Sequence, residues 1–287
     1  MEKIKIKSYC KINLSLKVLK KLNTGYHNIT SLITFSDLHD VISISKIKKP
    51  KDKITFSGKF CNNINKKSNT ITSVLKTLRE KELIKNQSFE INVKKNIPHG
   101  SGLGGASSNA SYLLNYFNNK MKLKLKKNEM INLAKKIGSD VPVCLEKKNT
   151  FLTGKKDKII RVNNKLNLNL LIVYPNIICS TKKIYKRNRI SNSKGNEYYY
   201  NKKNSMKLIH RLKNEKNDLE KIVIKIYPRI GKIINYIRSQ KGCVFSRITG
   251  SGSACIGIFS NRANTISAQK LIRSKYPKYW CVVSKTI

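Results

Sequence analysis

The chain has few acidic residues and no long apolar run. Its 287 residues include 15 Asp and Glu against 60 Lys and Arg, which gives a formal net charge of +45. The longest apolar runs, such as residues 170–174 and 254–259, are far shorter than the roughly 20 residues that cross a bilayer. Charged residues recur throughout residues 1–18, so no signal peptide is predicted. We therefore expect a cytoplasmic protein that does not bind membranes.

Closely spaced cysteines are also missing. The seven cysteines are scattered, and no two of them form a CxxC pair. This distribution argues against a zinc site and a disulfide framework, and predicts small, reduced core residues. His39, His99 and His210 show no metal-ligand spacing with one another. The sequence therefore predicts no metal site built from protein side chains.

Arginine is scarce for so basic a chain. Lysine outnumbers arginine 50 to 10, whereas base readout and bidentate phosphate contacts favour arginine. The lysines are spread over nearly the whole length instead of forming a basic tail. We therefore interpret the charge as a compositional bias that places lysine on the surface, and expect no specific nucleic-acid partner. A basic nucleic-acid-binding protein remains the alternative from a different functional class.

Strand and helix patterns are mixed along the chain without an internal repeat, which is typical of the α+β class. The length favours two domains, and 39% apolar residues suffice for a core. Alternating residues predict a strand over 4–18, with Lys11 and Asn13 on its polar side. The other predicted strands are 29–35, 40–47, 89–97, 151–162, 168–174, 246–249, 254–259 and 280–284. The predicted helices are 70–82, 106–118, 125–137, 205–212, 219–227, 231–240 and 263–276, and residues 188–204 read as a polar loop or disordered insert.

A glycine-rich turn between a predicted strand and a predicted helix is the strongest local feature. Glycines let the backbone approach a ligand closely, and the helix that follows directs its free N–H groups and positive dipole end into the turn. A tight turn that needs glycine for its geometry alone is the alternative. The candidate phosphate-binding residues are Pro98, His99, Gly100, Ser101, Gly102, Leu103, Gly104, Gly105, Ala106, Ser107 and Ser108.

Three common phosphate sites do not fit this turn. Residues 120–128 contain no acid, although a dinucleotide fold needs one about 20 positions after the fingerprint. Ala106 follows Gly105 where a Walker A loop requires lysine. The chain also has no HRD or DFG, so a protein kinase is excluded.

The turn resembles the phosphate loop of the GHMP small-molecule kinases from residue 98 to residue 108. The family's other two motifs have counterparts in the Lys-Ile-Asn-Leu of residues 11–14 and the Thr-Gly-Ser-Gly-Ser of residues 249–253. Residues 25–27, 138–142 and 217–220 further match, in order and spacing, the family members that act on a cytidyl diphosphate substrate. One departure is Tyr9-Cys10, where the family usually has Pro-Ala.

The resemblance implies a two-domain architecture and a reaction. Residues 1–160 would form an N-terminal domain like ribosomal protein S5 domain 2, with the ATP phosphate loop, and residues 161–287 a ferredoxin-like C-terminal domain. The implied activity is phosphate transfer from ATP, accompanied by Mg²⁺, to an alcohol carried on cytidine diphosphate, in the non-mevalonate route to isoprenoid precursors. A homodimer is a further expectation. Another GHMP kinase, of the homoserine or mevalonate type, is the alternative within the family.

The resemblance also implies roles for individual residues. Asp140 would be the general base and Lys11 its cationic partner, although the pattern alone suggests a helix N-cap at Asp140 and a solvated lysine at Lys11. Tyr26 and His27 would recognise cytosine, where the alternative is ordinary loop packing. Asn13 and Thr181 would contact the substrate, and Asn69 and Lys95 would contact adenine.

Overall fold

The computed structural model describes residues 3–21, 27–62, 64–153, 158–163, 165–188 and 205–287. Within these ranges the chain forms eleven strands and nine helices, which group into two compact units. Unit 1 comprises Met1–Lys11, Leu38–His99 and Gly104–Lys147, and unit 2 comprises Ile12–Asp37, Gly100–Leu103 and Lys148–Ile287.

This grouping does not follow the predicted boundary at residue 160. Strands β1 (Ile4–Asn13) and β3 (His27–Ile47) each contribute residues to both units. Residues 12–37 belong to unit 2 together with the C-terminal part of the chain, and part of β3 pairs there with Thr150–Leu152. The division into residues 1–160 and 161–287 stays a prediction about family domains.

Unit 1 is a sheet covered by helices. Strand β5 (Ser88–Lys94) pairs antiparallel with residues 41–47 of β3 and parallel with β4 (Lys53–Ser57). A parallel pair needs a crossover connection, and helix α1 (Thr70–Arg79) provides it between β4 and β5. Apolar residues of the sheet, α1 and helix α2 share one buried core; among them are Ile42, Ile44, Ile91, Val93, Val74, Leu75, Leu78, Leu113, Leu114 and Phe117. The remaining helices of the unit are α3 and α4, and the bounds are α2 Gly105–Lys120, α3 Lys127–Ile137 and α4 Val141–Cys144.

Unit 2 contains a four-stranded antiparallel sheet in the order β11-β8-β10-β9. Along the chain the four strands follow one another as β8, β9, β10 and β11. Helices lie between β8 and β9 and between β10 and β11, whereas β9 and β10 follow each other directly. That is the β-α-β-β-α-β arrangement of a ferredoxin-like domain, which confirms the prediction for the C-terminal domain. The strands are β8 Asn169–Tyr174, β9 Cys243–Ile248, β10 Cys255–Phe259 and β11 Trp280–Lys285.

Within the described residues, five helices belong to unit 2, and four of them contribute buried residues to its core. Apolar residues of α8 and α9 pack with those of the four-stranded sheet, and they include Ile230, Ile233, Ile234, Ile237, Ala268, Ile272, Leu171, Val173, Ile248 and Cys255. The helices are α5 Thr181–Lys186, α6 Ser205–Asn214, α7 Glu220–Ile226, α8 Pro228–Arg238 and α9 Arg262–Lys275. The unit also holds strands β2 (Lys17–Lys21), β6 (Asn149–Thr153) and β7 (Lys158–Val162).

The prediction of a single strand over residues 4–18 was wrong, because two strands, β1 and β2, occupy this segment. It is interrupted between β1 and β2, where serine side chains replace part of the backbone ladder. Ser15 Oγ accepts a hydrogen bond from the N–H of Leu32 at 3.2 Å, and Ser31 Oγ donates to the carbonyl of Ser15 at 2.6 Å. Apolar alternation continues through this break, so the pattern gave no sign of it.

The two strands predicted over 29–35 and 40–47 are one strand, β3. The polar residues between them interrupt the apolar pattern, but they form hydrogen bonds with residues near the end of the chain. Ser36 Oγ lies 2.7 Å from Ser284 Oγ, and Asp37 accepts a hydrogen bond from the N–H of Lys285 at 3.1 Å. These long-range partners keep the segment extended.

The other element predictions are confirmed with shifted ends, apart from two. Residues 151–162, expected as one strand, form the hairpin pair β6 and β7, which are joined in antiparallel register. The loop or disordered insert predicted over 188–204 lies, from residue 189 on, outside the described residues. No disulfide joins any of the seven cysteines, and no helix in the described part of the chain is long and apolar enough to cross a membrane.

Candidate active site

Lys11 is buried in unit 1, contrary to the solvated position that its strand parity suggested. Only 4% of the residue is exposed. Its aliphatic chain lies against Gly104, because a Cβ built on that glycine would stand 2.4 Å from Lys11 Cγ. The Nζ atom lies 3.1 Å from Oδ2 of Asp140. The side chain of Lys11 therefore lies against the start of helix α2.

Asp140 is at the N-cap position of the short helix α4, but its side chain makes no capping hydrogen bond. The carboxylate points to Lys11 instead, and 43% of the side chain is exposed. The capping interpretation of this residue is therefore wrong for its side chain. A buried ammonium next to a partly exposed carboxylate leaves one face of the acid accessible to a second molecule.

Helix α2 begins at Gly105, with Gly104 as its N-cap in the left-handed conformation (φ +66°). No side chain caps this end, and the first turn contains no acidic residue. The 16-residue helix thus presents backbone N–H groups and a positive dipole end without a competing anion. This arrangement suits a phosphate group.

Two polar side chains of the glycine-rich turn, His99 and Ser108, have defined surroundings in unit 1. Desolvation, and after it the positive charge of Lys95, lower the pKa of His99, which favours the neutral imidazole. Ser108 Oγ donates to Cys144 Sγ at 3.5 Å, which links the first turn of α2 to α4. The hydroxyl of Ser108 therefore faces the helix that Asp140 precedes.

The middle of the glycine-rich turn, Gly100–Leu103, belongs to unit 2 and packs on the second glycine motif. The carbonyl of Ser101 accepts a hydrogen bond from the N–H of Ala254 at 2.9 Å. Gly102 has φ +82°, and a Cβ there would lie 2.2 Å from the carbonyl oxygen of Thr249. Only glycine fits between these two backbones, so the two motifs of the sequence meet in the fold.

Asn13 is also held by this second motif in unit 2. Its N–H donates to Thr249 Oγ1 at 2.9 Å, and its side-chain Nδ2 donates to Ser31 Oγ at 2.8 Å. The residue is 3% exposed. Hydrogen bonds thus fix Asn13 beside Thr249. Its contact with the substrate stays a prediction.

Thr181 begins helix α5, and its hydroxyl pairs with a residue that sequence reasoning missed. Thr181 Oγ1 lies 2.8 Å from Ser251 Oγ. Ser251 is the middle residue of the Gly-Ser-Gly turn, so the glycine motif itself was the available signal. The pair brings the exposed Thr181 to the second glycine motif within unit 2.

His27 has an aromatic neighbour in unit 2 that was also missed. Its ring centroid lies 5.1 Å from that of Tyr185, with an interplanar angle of 36°. Tyr185 is the one aromatic residue of the lysine-rich helix α5, but nothing in the local pattern connects it with His27. Tyr26, the other predicted cytosine contact, lies outside the described residues.

The Asn-Asp-Leu-Glu motif of residues 217–220 holds backbone in place. Asn217 Nδ2 donates to the carbonyl of Gly250 at 2.8 Å, and Asp218 Oδ2 accepts from the N–H of Val18 at 2.8 Å. Glu220 Oε2 accepts from the N–H of Ile248 at 2.8 Å. Desolvation raises the pKa of Glu220, and the hydrogen bond from Ile248 opposes this shift. This motif therefore supports the second glycine turn.

Comparison with known proteins identifies the family. Residues 69–148 match the N-terminal domain of the GHMP kinases, and residues 199–278 match their C-terminal domain. The chain is 39% identical over 287 residues to a 4-diphosphocytidyl-2-C-methyl-D-erythritol kinase of Pelagibacter ubique, covering all of both chains. The chain belongs to the 4-diphosphocytidyl-2-C-methyl-D-erythritol kinase family.

Further curated relatives and solved structures are also similar to this GHMP kinase. A 4-diphosphocytidyl-2-C-methyl-D-erythritol kinase of Caldicellulosiruptor bescii is 32% identical over 94% of each chain. A crystal structure of a 4-(cytidine 5'-diphospho)-2C-methyl-D-erythritol kinase superposes with a TM-score of 0.75 at 20% identity, covering 98% of this chain and 99% of the other. Homoserine kinase from Cytophaga hutchinsonii gives 0.77 at 16% identity, covering 100% and 95%. The predicted α+β, two-domain GHMP kinase architecture is confirmed, and the chain is an ATP-dependent kinase with a small-molecule acceptor.

The departure of this GHMP kinase from the family's Pro-Ala is accommodated within unit 1. The ring of Tyr9 lies 5.2 Å from that of His39 and 6.2 Å from that of Tyr112, and Lys147 Nζ stands 4.8 Å from its centroid. Cys10 is fully buried. Tyr9 thus packs in an aromatic cluster with His39 and Tyr112.

Two residues considered for adenine contact have other partners in this kinase. Asn69 caps helix α1 in a reciprocal arrangement with Thr72. Lys95 is 4% exposed and donates to Asp40. Across the described ranges, no group of three or more His, Cys, Asp or Glu side chains could hold a metal ion.

Proposed function

We propose that this kinase transfers the γ-phosphate of ATP to the 2-hydroxyl of 4-diphosphocytidyl-2-C-methyl-D-erythritol, a step of the non-mevalonate route to isoprenoid precursors. The observation that carries the proposal is the Lys11–Asp140 pair against Gly104. It occurs in a chain that is similar over its whole length to kinases named for this substrate. A base, a cation and an uncapped helix start are the parts that phosphoryl transfer to an alcohol requires.

Asp140 acts as the general base. Its carboxylate takes the proton of the 2-hydroxyl while that oxygen attacks the γ-phosphorus, and the bond from the γ-phosphorus to the bridging oxygen of ADP breaks. The ammonium of Lys11, 3.1 Å from the carboxylate, holds the base in place and stabilises negative charge on the transferring group. Its burial keeps water from screening that charge.

The phosphates of ATP bind at residues 98–108. The uncapped N–H groups at the start of α2 and the absence of a side chain at Gly104 give the room and the donors for them. Mg²⁺ bound together with ATP would neutralise part of the charge on its phosphates. Among the described residues no three His, Cys, Asp or Glu side chains are grouped to hold an ion, so Mg²⁺ would be held mainly by phosphate oxygens and water.

The cytidyl end of the substrate is bound by Tyr26 and His27, with Tyr185 as a further stacking surface beside His27. Thr181 and Asn13 contact the diphosphate and the sugar alcohol. A ring face and an imidazole suit a pyrimidine, because one stacks on it and the other forms hydrogen bonds. The homodimer and the cytoplasmic location stay predictions.

A panel of acceptors tests the function. ADP formation is measured with 4-diphosphocytidyl-2-C-methyl-D-erythritol, with cytidine diphosphate alcohols of other structure, and with homoserine and mevalonate. We expect turnover with the first and little with homoserine or mevalonate, which have no base to stack. Efficient turnover of homoserine or mevalonate, and none of any cytidyl compound, would assign the chain to the alternative kinases.

Substitution of the His27–Tyr185 pair tests cytidine recognition. We expect Tyr185→Ala and His27→Ala each to raise KM for the cytidyl substrate by about tenfold, because base stacking contributes on the order of 1–3 kcal/mol. KM for ATP should change little. Tyr279→Ala, which removes a ring stacked on Tyr276 in the same unit, is the matched control. Equal effects of Tyr185→Ala and Tyr279→Ala on the cytidyl KM would refute the assignment.

A salt series separates the kinase from a nucleic-acid-binding protein. We expect DNA or RNA affinity to fall by about 10³-fold or more between roughly 50 and 200 mM salt and to show no sequence preference, because it depends on counterion release. Turnover at saturating substrates should change far less over the same range. Tight, sequence-selective binding at physiological salt, without transfer to any cytidyl alcohol, would instead favour the nucleic-acid function.

A further inference from the structure

Asp40 is a fully buried carboxylate with four hydrogen-bond donors in unit 1. Oδ1 accepts from the backbone N–H groups of Asn96 at 2.7 Å and Ile97 at 2.9 Å. Oδ2 accepts from Asn109 Nδ2 at 2.9 Å and from the ammonium of Lys95. Asp40 is 0% exposed. In a chain with only 15 acidic residues, an acid committed to this interior position needs an explanation.

The donors lie on both sides of the glycine-rich turn. Asn96 and Ile97 are the residues by which the chain leaves strand β5 toward Pro98. Asn109 is in the second turn of helix α2, four residues after Gly105. One carboxylate therefore joins the segment that enters the turn to the helix that follows it.

Asn109 depends on Asp40 for its orientation. Its Nδ2 donates to Asp40, while its buried Oδ1 has no hydrogen-bond partner among the described residues. A buried amide oxygen without a partner is costly, so the amide is held there by the carboxylate at its other end. The link between Asp40 and α2 is thus a single, removable contact.

Lys95 brings a positive charge to the same place. Its Nζ would lie 3.4 Å from a Cβ built on Gly105, the first residue of α2. A buried cation beside the positive end of a helix is unfavourable by itself, and Asp40 compensates it. The charge of Lys95 also lowers the pKa of His99, so its electrostatic effect reaches the glycine-rich turn.

We infer that Asp40 is a positioning residue for ATP: it fixes Ile97 and Asn109 relative to each other, and holds Lys95 under the start of α2, so that the helix N–H groups meet the phosphates. The inference rests on the proposed function, in which residues 98–108 bind ATP. Asp40 does not touch the reacting atoms. Its loss is therefore expected to weaken nucleotide binding more than acceptor binding.

The chain offers two matched controls. Asp52, also in unit 1, accepts from Arg79 at 2.7 and 2.9 Å and from the N–H of Phe89 at 3.0 Å, at the opposite end of β5. Asn115, on α2 like Asn109, donates to the carbonyl of Leu145 at 2.8 Å. Asp52→Asn and Asn115→Ala thus remove similar interactions that do not bridge the turn.

The test measures the Kd of ATP by calorimetry, together with the melting temperature, for Asp40→Asn, Asn109→Ala and the two controls. We expect Asp40→Asn to raise this Kd by about tenfold or more and Asn109→Ala by several-fold, since each removes a buried charge-assisted hydrogen bond. The controls should lower the melting temperature with little change in Kd. If Asp40→Asn does not fold, Asn109→Ala against Asn115→Ala decides.

Equal ATP affinity in the bridging variants and their controls would overturn the inference and show that Asp40 only stabilises the unit. A kinetic readout separates this failure from that of the proposed function. The wild-type chain must transfer phosphate to the cytidyl substrate for the function to hold, whereas the Kd comparison needs no acceptor. In active variants, KM for ATP should rise while KM for the acceptor stays near the wild-type value.

Discussion

Replacing Asp140 with Asn is expected to lower kcat by at least about 10²-fold, because general-base catalysis is lost while the shape of the side chain is kept. The Asn amide cannot take the proton of the attacking hydroxyl. ATP binds through residues 98–108, so its Kd should stay near the wild-type value. Single-turnover kinetics and calorimetry on the same preparation measure both quantities.

Glu146→Gln is the matched control for Asp140→Asn. Glu146 is another acid of unit 1 and pairs with the exposed Lys127 at 3.3 Å. An ion pair with one exposed and one half-buried partner contributes little, so both kcat and stability should stay nearly unchanged. Near-normal turnover of the Asp140→Asn variant would contradict the assignment of the base.

Gly104→Val is expected to disable both ATP binding and the catalytic pair. A left-handed backbone (φ +66°) strains any β-branched residue by about 1–3 kcal/mol. The new Cβ would stand 2.4 Å from Lys11 Cγ and 2.8 Å from Lys11 Cε, so Lys11 must move away from Asp140. We expect kcat/KM for ATP to fall by about 10²-fold or more, with a smaller change in acceptor affinity.

Gly138→Ala provides the control for this substitution in the same unit. Gly138 has an extended backbone (φ 174°), and a Cβ there would be 3.4 Å from Val141, an ordinary contact. This variant should fold with near-normal nucleotide affinity. A Gly104→Val protein that melts like the wild type and binds ATP equally well would contradict the phosphate-binding role of the turn.

Local patterns predicted seven of the helices and the glycine-rich turn, because these depend on neighbouring residues, but they gave no prediction for the short helix α5. Helix α1 and helix α2 occur where apolar spacing and the glycines indicate them. The burial of Lys11 could not be predicted in this way, since it depends on the packing of Gly104, more than ninety positions away in the chain. Only the resemblance to a family pointed to the lysine.

Long-range hydrogen bonds explain the other failures. The continuity of β3 depends on Ser284 and Lys285 at the end of the chain, and the break after β1 depends on Ser31. The bridge from Asp40 to Asn109 likewise joins residues 69 positions apart. Polar residues that look like turns or surface in the sequence thus acquire their roles from distant partners.

The scarcity of acids proved informative once the fold was known. Several of the few carboxylates have defined partners: Asp140 pairs with Lys11, Asp52 with Arg79, and Asp218 accepts a backbone N–H. A surplus of lysine on the surface needs no partner and no function. In so basic a chain, the position of an acid is therefore a better guide to structure and chemistry than the position of a cation.

The position of the new phosphate tests the central claim most directly. The wild-type chain is incubated with ATP, Mg²⁺ and 4-diphosphocytidyl-2-C-methyl-D-erythritol, and the product is examined by phosphorus and carbon NMR, with Asp140→Asn as the parallel sample. We predict one new phosphomonoester, coupled to the carbon that bears the 2-hydroxyl and its methyl group, and almost none with the variant. A phosphate on another oxygen, or equal product from both proteins, would contradict the proposed reaction.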